Sequence, residues 1–169
     1  MIDQWFREIR ITHSRILFVG IGNVLRSDDG IGVYISQRLN ETPEIRSLTV
    51  EVSIENYIGK INTMNPDLLI LVDCVDFNRE PGYYRVLPVD KLRGQTTNTH
   101  NISLQQIGRL FHMPVWILGI QPEHLGFGEE LTLTVKTSAD DIIYRLNKQI
   151  LQANEPESAN IHFTENRNQ

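Results

Sequence analysis

Three short, continuous apolar runs constrain the fold of this chain more than any other feature. They are "RILFVGIG" from Arg15, "DLLILVDCV" from Asp67 and "VWILGIQP" from Val115. Each is too short for a core helix and is bounded by glycine, aspartate or proline, as is typical of a strand buried on both faces of a sheet. Because such strands need helices on both sides of the sheet, the runs predict a parallel sheet between two helical layers.

The segments between these runs predict the remaining elements. "LTVEVSI" (48–54) and "GYYRVLPVD" (82–90) predict two more strands, and Pro88 places the second near a sheet edge. The spacing of apolar residues predicts four helices, at about 30–40, 55–64, 102–113 and 138–151. Ser138 is the expected N-cap of the last helix. The order β-α-β-α-β-β-α-β-α predicts a three-layer α/β/α fold with a mostly parallel, about five-stranded sheet.

The two ends of the chain differ from its body. Ile2, Trp5, Phe6 and Ile9 have helical spacing, which predicts that residues 1–14 form an N-terminal appendage with a short amphipathic helix docked on the domain. Residues 15–153 form the predicted domain, because 169 residues are too few for two ordinary domains. Residues 154–169 are mostly polar and predict a flexible C-terminal tail.

Composition limits the partners and the compartment. The formal charge is −5, and no run of Lys or Arg suits a phosphate backbone, so we expect no nucleic-acid partner. Cys74 is the single cysteine, which rules out an internal disulfide and a thiolate zinc cage. The N-terminal residues lack the pattern of a signal peptide, and no apolar run has membrane-spanning length. We therefore expect a cytoplasmic protein without membrane insertion.

Polar side chains collect where the predicted strands end, which is where parallel sheets bind ligands. The first strand runs into Asp28 and Asp29, the third ends at Asp73, and His100 lies in the loop before the helix at 102–113. Asp29, Asp73 and His100 would together offer two carboxylates and one imidazole, a set that suits a borderline divalent cation with open coordination positions. Spacings of 44 and 27 residues form no local motif, so the alternatives stay open: Asp73 can bond a neighbouring loop, and His100 can be a capping-loop residue.

The pair Asp28–Asp29 within "GIGNVLRSDDGIGV" has its own alternatives. We expect Asp28 to cap the following helix and to matter less for activity, since one carboxylate is enough for capping. Asp29, close to flanking glycines, is the stronger functional candidate. A dinucleotide site is not favoured, because Leu25 stands where the third glycine of that fingerprint belongs and an acidic pair repels a pyrophosphate.

The same residues resemble those of a known family. "GIGNVLRSDDGIGV" is similar to the "GNxLxxDDGxG" signature of the hydrogenase maturation endopeptidases, and four further segments resemble that family in the same order: "LLILVDCVDF", "PGYYRVL", "TTNTHNISL" and "LGIQPE". The resemblance extends over roughly residues 15–150. It implies an endopeptidase that removes the C-terminal extension from the precursor of a [NiFe] hydrogenase large subunit after nickel insertion.

The resemblance also implies roles for individual residues. The family's nickel-contacting acid corresponds to Asp29, its second acid to Asp73 and its histidine to His100. These three are the expected metal ligands, and the two aspartates are also the expected catalytic residues. Nickel is expected to be carried by the substrate and bound transiently, with no organic cofactor. Either the carboxylates activate water on the scissile bond, or nickel polarises the water or the carbonyl group while the complex positions the tail. A non-catalytic nickel-sensing or chaperone module for the large subunit is the alternative that uses the same three ligands.

Overall fold

A computed structural model describes residues 2–92 and 100–152, with only the backbone described for 100–103. The helices are α1 (Ile2–Thr12), α2 (Ile31–Ser36), α3 (Ile58–Met64), α4 (His100–Gly108) and α5 (Leu133–Gln152). The strands are β1 (Ile16–Ile21), β2 (Ile45–Glu51), β3 (Leu68–Cys74), β4 (Tyr84–Pro88) and β5 (Val115–Ile120). Single turns of 3₁₀ helix precede α2 and α3 and follow β4, at Ser27–Gly30, Ile54–Tyr57 and Val89–Leu92.

The strands form one five-stranded sheet in the order β2-β1-β3-β5-β4. β4 is antiparallel to β5, and the other three pairings are parallel. The mostly parallel sheet is therefore confirmed, and Pro88 does end a strand at the sheet edge. The three apolar runs form the three central strands, and every residue of β1 is buried.

Two hydrophobic clusters cover the two faces of the sheet. Apolar residues of α1, α2 and α5 pack on one face with Phe18 and Ile70, while residues of α3 and α4 pack on the other with Val19 and Leu71. Alternate residues of β1 and β3 thus enter opposite clusters, as strand geometry requires. This arrangement confirms the predicted three-layer α/β/α fold.

The N-terminal helix is part of the first cluster. Ile2, Phe6 and Ile9 of α1 are buried, and the Phe6 and Phe18 rings have centroids 5.9 Å apart. The Arg145 guanidinium of α5 forms an ion pair with Asp3 at 2.9 Å. The helix predicted from the spacing of these residues is therefore present, and it packs against both the sheet and α5. The division into appendage, domain and tail stays a prediction, and residues 154–169 lie outside the described residues.

Several helix boundaries differ from the sequence predictions. The helices predicted at 30–40 and 102–113 end earlier, at Ser36 and at Gly108. Ser138 is not the N-cap of the last helix, because α5 begins at Leu133. The backbone oxygen of Thr132 accepts the N–H of Lys136 at 2.8 Å, so Thr132 stands at the true start of α5. In the described segments, no helix has both the length and the hydrophobicity to cross a membrane.

Gly32 allows α2 to lie directly against the sheet. A Cβ atom at this position would be 2.1 Å from the carbonyl oxygen of Val72 in β3 and 2.2 Å from that of Ile21 in β1. Such distances are far inside van der Waals contact, so a side chain cannot fit without moving α2 away from both strands. The turn before α2, which contains Asp28 and Asp29, is thereby held close to the carboxyl ends of β1 and β3.

Candidate active site

The loop after β1 folds back on itself to place Asp29 at the sheet edge. Gly22 has φ +144°, and a Cβ atom there would lie 1.8 Å from the backbone oxygen of Asp29, so only glycine fits. The backbone N–H of Asn23 donates to Oδ2 of Asp29 at 3.3 Å. The strand thus ends in a tight return that brings Asp29 against the start of its own loop.

Asp29 and Asp73 come together as predicted from their positions at strand ends, and Cys74 joins them. One ligand atom from each of the three lies within 4.8 Å of the others. The Cys74 thiol donates to Oδ1 of Asp29 at 3.4 Å, and the Cys74 backbone N–H donates to Oδ1 of Asp73 at 2.8 Å. These three residues are the candidate active-site cluster.

The electrostatics of the cluster favour a bound proton or a cation. Asp73 is buried, and this burial, with the nearby charge of Asp29 as a second cause, raises the pKa of its carboxyl group well above the usual value. Burial also raises the pKa of the Cys74 thiol, and the charges of Asp73 and Asp29 raise it further. The thiol is therefore protonated at neutral pH, in agreement with its role as donor to Asp29.

Asp28 does not cap α2, which corrects the sequence interpretation. No side-chain hydrogen bond caps either the 3₁₀ turn or α2. The Asp28 carboxylate is fully buried and accepts the backbone N–H groups of Glu123 and His124 at 2.9 Å each and that of Thr132 at 2.7 Å. The Thr132 hydroxyl group donates to it as well. Asp28 therefore fastens residues 123–132 to the turn that contains Asp29.

Gln121 is a structural residue of the site that the sequence interpretation left without a role. Its side chain is buried just beyond β5, and its Oε1 accepts the backbone N–H groups of Phe77 at 2.7 Å and Arg79 at 3.2 Å. Its Nε2 donates to Asp76 at 3.1 Å. Gln121 thus fixes the loop that follows Asp73 and Cys74. The signal available in the sequence was a polar residue directly after a fully apolar strand.

His100 is the first residue of α4, and its side chain lies outside the described residues. Of the three predicted ligands, the structure therefore describes the side chains of Asp29 and Asp73. The placement of the His100 imidazole next to them stays a prediction.

The fold and this cluster define an α/β protein with a carboxylate site at the carboxyl edge of its parallel strands, a cysteine thiol beside it and a buried aspartate behind it. The hydrogenase maturation protease family (HycI) matches residues 37–149. This match covers well over half of the chain, and the chain belongs to that family. It is a peptidase, as the sequence resemblance implied.

Individual relatives agree with the family. The hydrogenase 3 maturation protease of Escherichia coli K12 is 27% identical over 137 residues, which are 75% of this chain and 85% of that protein. The crystal structure of the [NiFe] hydrogenase maturation protease HycI from Thermococcus kodakarensis is similar with a TM-score of 0.75 and 28% identity, covering 87% of this chain and 99% of the other. The hydrogenase maturating endopeptidase HybD from E. coli, 24% identical, shares the fold with a TM-score of 0.68 over 83% of this chain and 94% of its own.

Proposed function

We propose that this peptidase removes the C-terminal extension from the precursor of a [NiFe] hydrogenase large subunit and that nickel already seated in the precursor is required for cleavage. The observation that carries the proposal is the pairing of Asp29 with Asp73 at one sheet edge. Burial and the charge of Asp29 raise the pKa of the Asp73 carboxyl group, so a cation placed between the two carboxylates would stabilise the site. Nickel arriving with the substrate supplies that cation.

The donor set suits a transient contact rather than a resident ion. Asp29 and Asp73 offer oxygen ligands, and the predicted third ligand is the His100 imidazole. The Cys74 thiol is protonated and is not a thiolate ligand under neutral conditions. We therefore expect weak affinity for free nickel, with the remaining ligands coming from the precursor. Assembly of the complex then depends on a metal that both proteins bind, as in induced fit.

Carboxylate chemistry is the proposed means of hydrolysis, which makes the enzyme an aspartyl-type endopeptidase. Asp29 is half-buried and Asp73 is buried, so Asp29 is the group that a water molecule from solvent can approach. Asp29 accepts a proton from that water while the water oxygen bonds to the scissile carbonyl carbon. The carbon–nitrogen bond then breaks as Asp29 passes the proton to the departing amine, which leaves a new C-terminal carboxyl group. Asp28 and Asp29 do not form a proton-sharing dyad, because the Asp28 carboxylate accepts hydrogen bonds from residues 123–132.

We place the reaction in the cytoplasm, because its reducing conditions suit a protein whose single cysteine is a free thiol. The reaction requires the precursor as the sole partner and no organic cofactor. Neither nucleic acid nor membrane insertion has a role in it.

The decisive experiment compares nickel-loaded and nickel-free precursor as substrates of the purified protease. We expect trimming of the loaded form alone, and loss of that trimming in Asp29→Asn and in His100→Ala without a fall in melting temperature. His112→Ala is the matched control, because His112 is exposed on the segment before β5 and is outside the cluster. Equal trimming of the nickel-free precursor would overturn nickel dependence and favour a peptidase that reads sequence alone.

A further inference from the structure

Phe127 is an exposed aromatic residue on the segment between β5 and α5. Its side chain is 85% exposed, whereas the other phenylalanines in the described part of the chain are buried or half-buried. A phenyl ring in water loses the favourable free energy that burial would give it. A solitary exposed side chain needs no explanation, so the surroundings of Phe127 decide whether it has a role.

The segment that contains Phe127 is held on both sides of that residue. The backbone N–H of Asp28 donates to the carbonyl oxygen of His124 at 3.1 Å, and the Asp28 carboxylate accepts the N–H groups of Glu123 and His124. After Phe127, the N–H of Ser27 donates to the Gly128 oxygen at 2.7 Å. These bonds hold the backbone on either side of the ring, so Phe127 is presented from a fixed segment.

The element that holds this segment is the turn that contains Asp29. Arg26 and Gly128 form a parallel β-bridge, and the Gly128 N–H donates to the Leu25 oxygen at 3.0 Å. Leu25 and Val24, on this facing segment, are themselves 50% and 44% exposed. Three exposed apolar side chains therefore lie on two segments bonded to each other: Val24, Leu25 and Phe127, called here the Phe127 patch.

We propose that the Phe127 patch binds an apolar segment of the precursor polypeptide close to the scissile bond and that Phe127 is its main contact. This inference rests on the proposed processing of a precursor. Leu25 and Asp29 belong to the same turn, and that turn is bonded to the segment that presents Phe127. A polypeptide whose peptide bond reaches Asp29 is therefore brought to the turn that also contains the patch, which makes the substrate the partner we infer for it.

Charge favours a polypeptide over an anionic surface as the occupant. Glu123, Glu129 and Glu130 are exposed on the segment that presents Phe127, against one exposed cation, Arg26, on the facing segment, and the whole chain has a formal charge of −5. These carboxylates repel anionic lipid and attract a segment with basic residues beside its apolar contact. The expected ligand is an apolar residue of the precursor with basic neighbours.

The test is a comparison of Phe127→Ala with Ile11→Ala in processing of the nickel-loaded precursor. Ile11 has the same 85% exposure but lies on α1, outside the patch. For Phe127→Ala we expect KM to rise about tenfold with kcat nearly unchanged, corresponding to loss of one strong interface contact. Ile11→Ala should keep both constants, Phe127→Leu should recover part of the affinity, and all three variants should unfold at the temperature of the unmodified protein.

Two results would overturn the proposal. One is an unchanged KM in Phe127→Ala. The other is a dimer of the unmodified protein that dissociates in Phe127→Ala, which would assign the patch to contact between copies of this chain. Both can be distinguished from failure of the proposed function, because the nickel dependence is measured on the unmodified protein and KM can be determined whether or not cleavage requires nickel.

Discussion

The Cys74 thiol donates a hydrogen bond to the carboxylate of Asp29 across 3.4 Å. A cysteine beside two acids resembles a nucleophile at first sight, yet burial and the two carboxylates raise the pKa of the thiol and keep it protonated. The thiol therefore serves as a hydrogen-bond donor to Asp29 and not as the nucleophile that a cysteine protease requires.

Removal of the thiol should therefore leave most of the activity. We expect Cys74→Ala to cleave the precursor within about tenfold of the unmodified rate, since it loses a single hydrogen bond of about 1 kcal/mol, and Cys74→Ser to be closer still. Alkylating reagents should react slowly at neutral pH. Rapid inactivation by iodoacetamide at pH 7 would contradict this account.

Replacement of Asp73 should stabilise the folded protein and, at the same time, reduce its activity. In the folded protein, the pKa of Asp73 is raised by burial and by Asp29, so its ionisation at neutral pH opposes folding. Asp73→Asn should thus raise the free energy of unfolding at pH 7 by about 1–2 kcal/mol while reducing cleavage severely.

The pH dependence of that stability difference follows from the sign of the pKa shift. Below the unfolded-state pKa, the carboxyl group is protonated in both states, so the substitution adds nothing to the free energy of unfolding. The advantage of the variant in free energy of unfolding then increases as the pH rises toward the raised folded-state pKa. Denaturant unfolding of both proteins at a series of pH values measures it, and a variant less stable than the unmodified protein at pH 7 would refute the prediction.

Replacement of Asp28 should weaken the whole site. Asp28→Asn substitutes an amide NH₂ for one acceptor oxygen, so at least one buried N–H of residues 123–132 loses its partner. We expect a loss of about 2–4 kcal/mol in the free energy of unfolding and slower cleavage, because residues 123–132 are then less firmly fixed beside Asp29. Asp90→Asn is the control, since Asp90 is exposed. Equal stability of the two variants would show that the buried carboxylate is dispensable.

Two glycine substitutions test the close contact of α2 with the sheet. Gly32→Ala places a methyl group against the backbone oxygens of Val72 and Ile21 and should cost about 3 kcal/mol or more. Gly59→Ala, within α3, meets no atom within 4 Å and should be neutral or stabilise by roughly 0.5–1 kcal/mol. Thermal unfolding of the two variants checks the contrast, which would fail if both had the same melting temperature.

The sequence predicted those features that depend on local patterns. Continuous apolar runs predicted the central strands, and the positions of Asp29 and Asp73 after two of them predicted that they would meet. The role of Asp28 was not predictable, because its hydrogen-bond partners are 95 to 104 residues away along the chain. The start of α5 was missed for the same reason, because Thr132, which precedes the helix, bonds to the distant Asp28. The place of Cys74 in the cluster was not predictable either, because its thiol bonds to Asp29, which is 45 residues away along the chain.

The bonds from Asp28 to residues 123–132 also set an order of events during synthesis. A ribosome that has made only the first hundred residues has supplied β1, β2 and β3, and with them Asp29 and Asp73. The N–H groups that hydrogen-bond the buried Asp28 carboxylate belong to residues 123–132 and have not yet been made. Contacts between such distant residues form late and slowly in folding. The turn that contains Asp29 is therefore fixed only after nearly the whole domain has left the ribosome, so a nascent or truncated chain has no assembled protease.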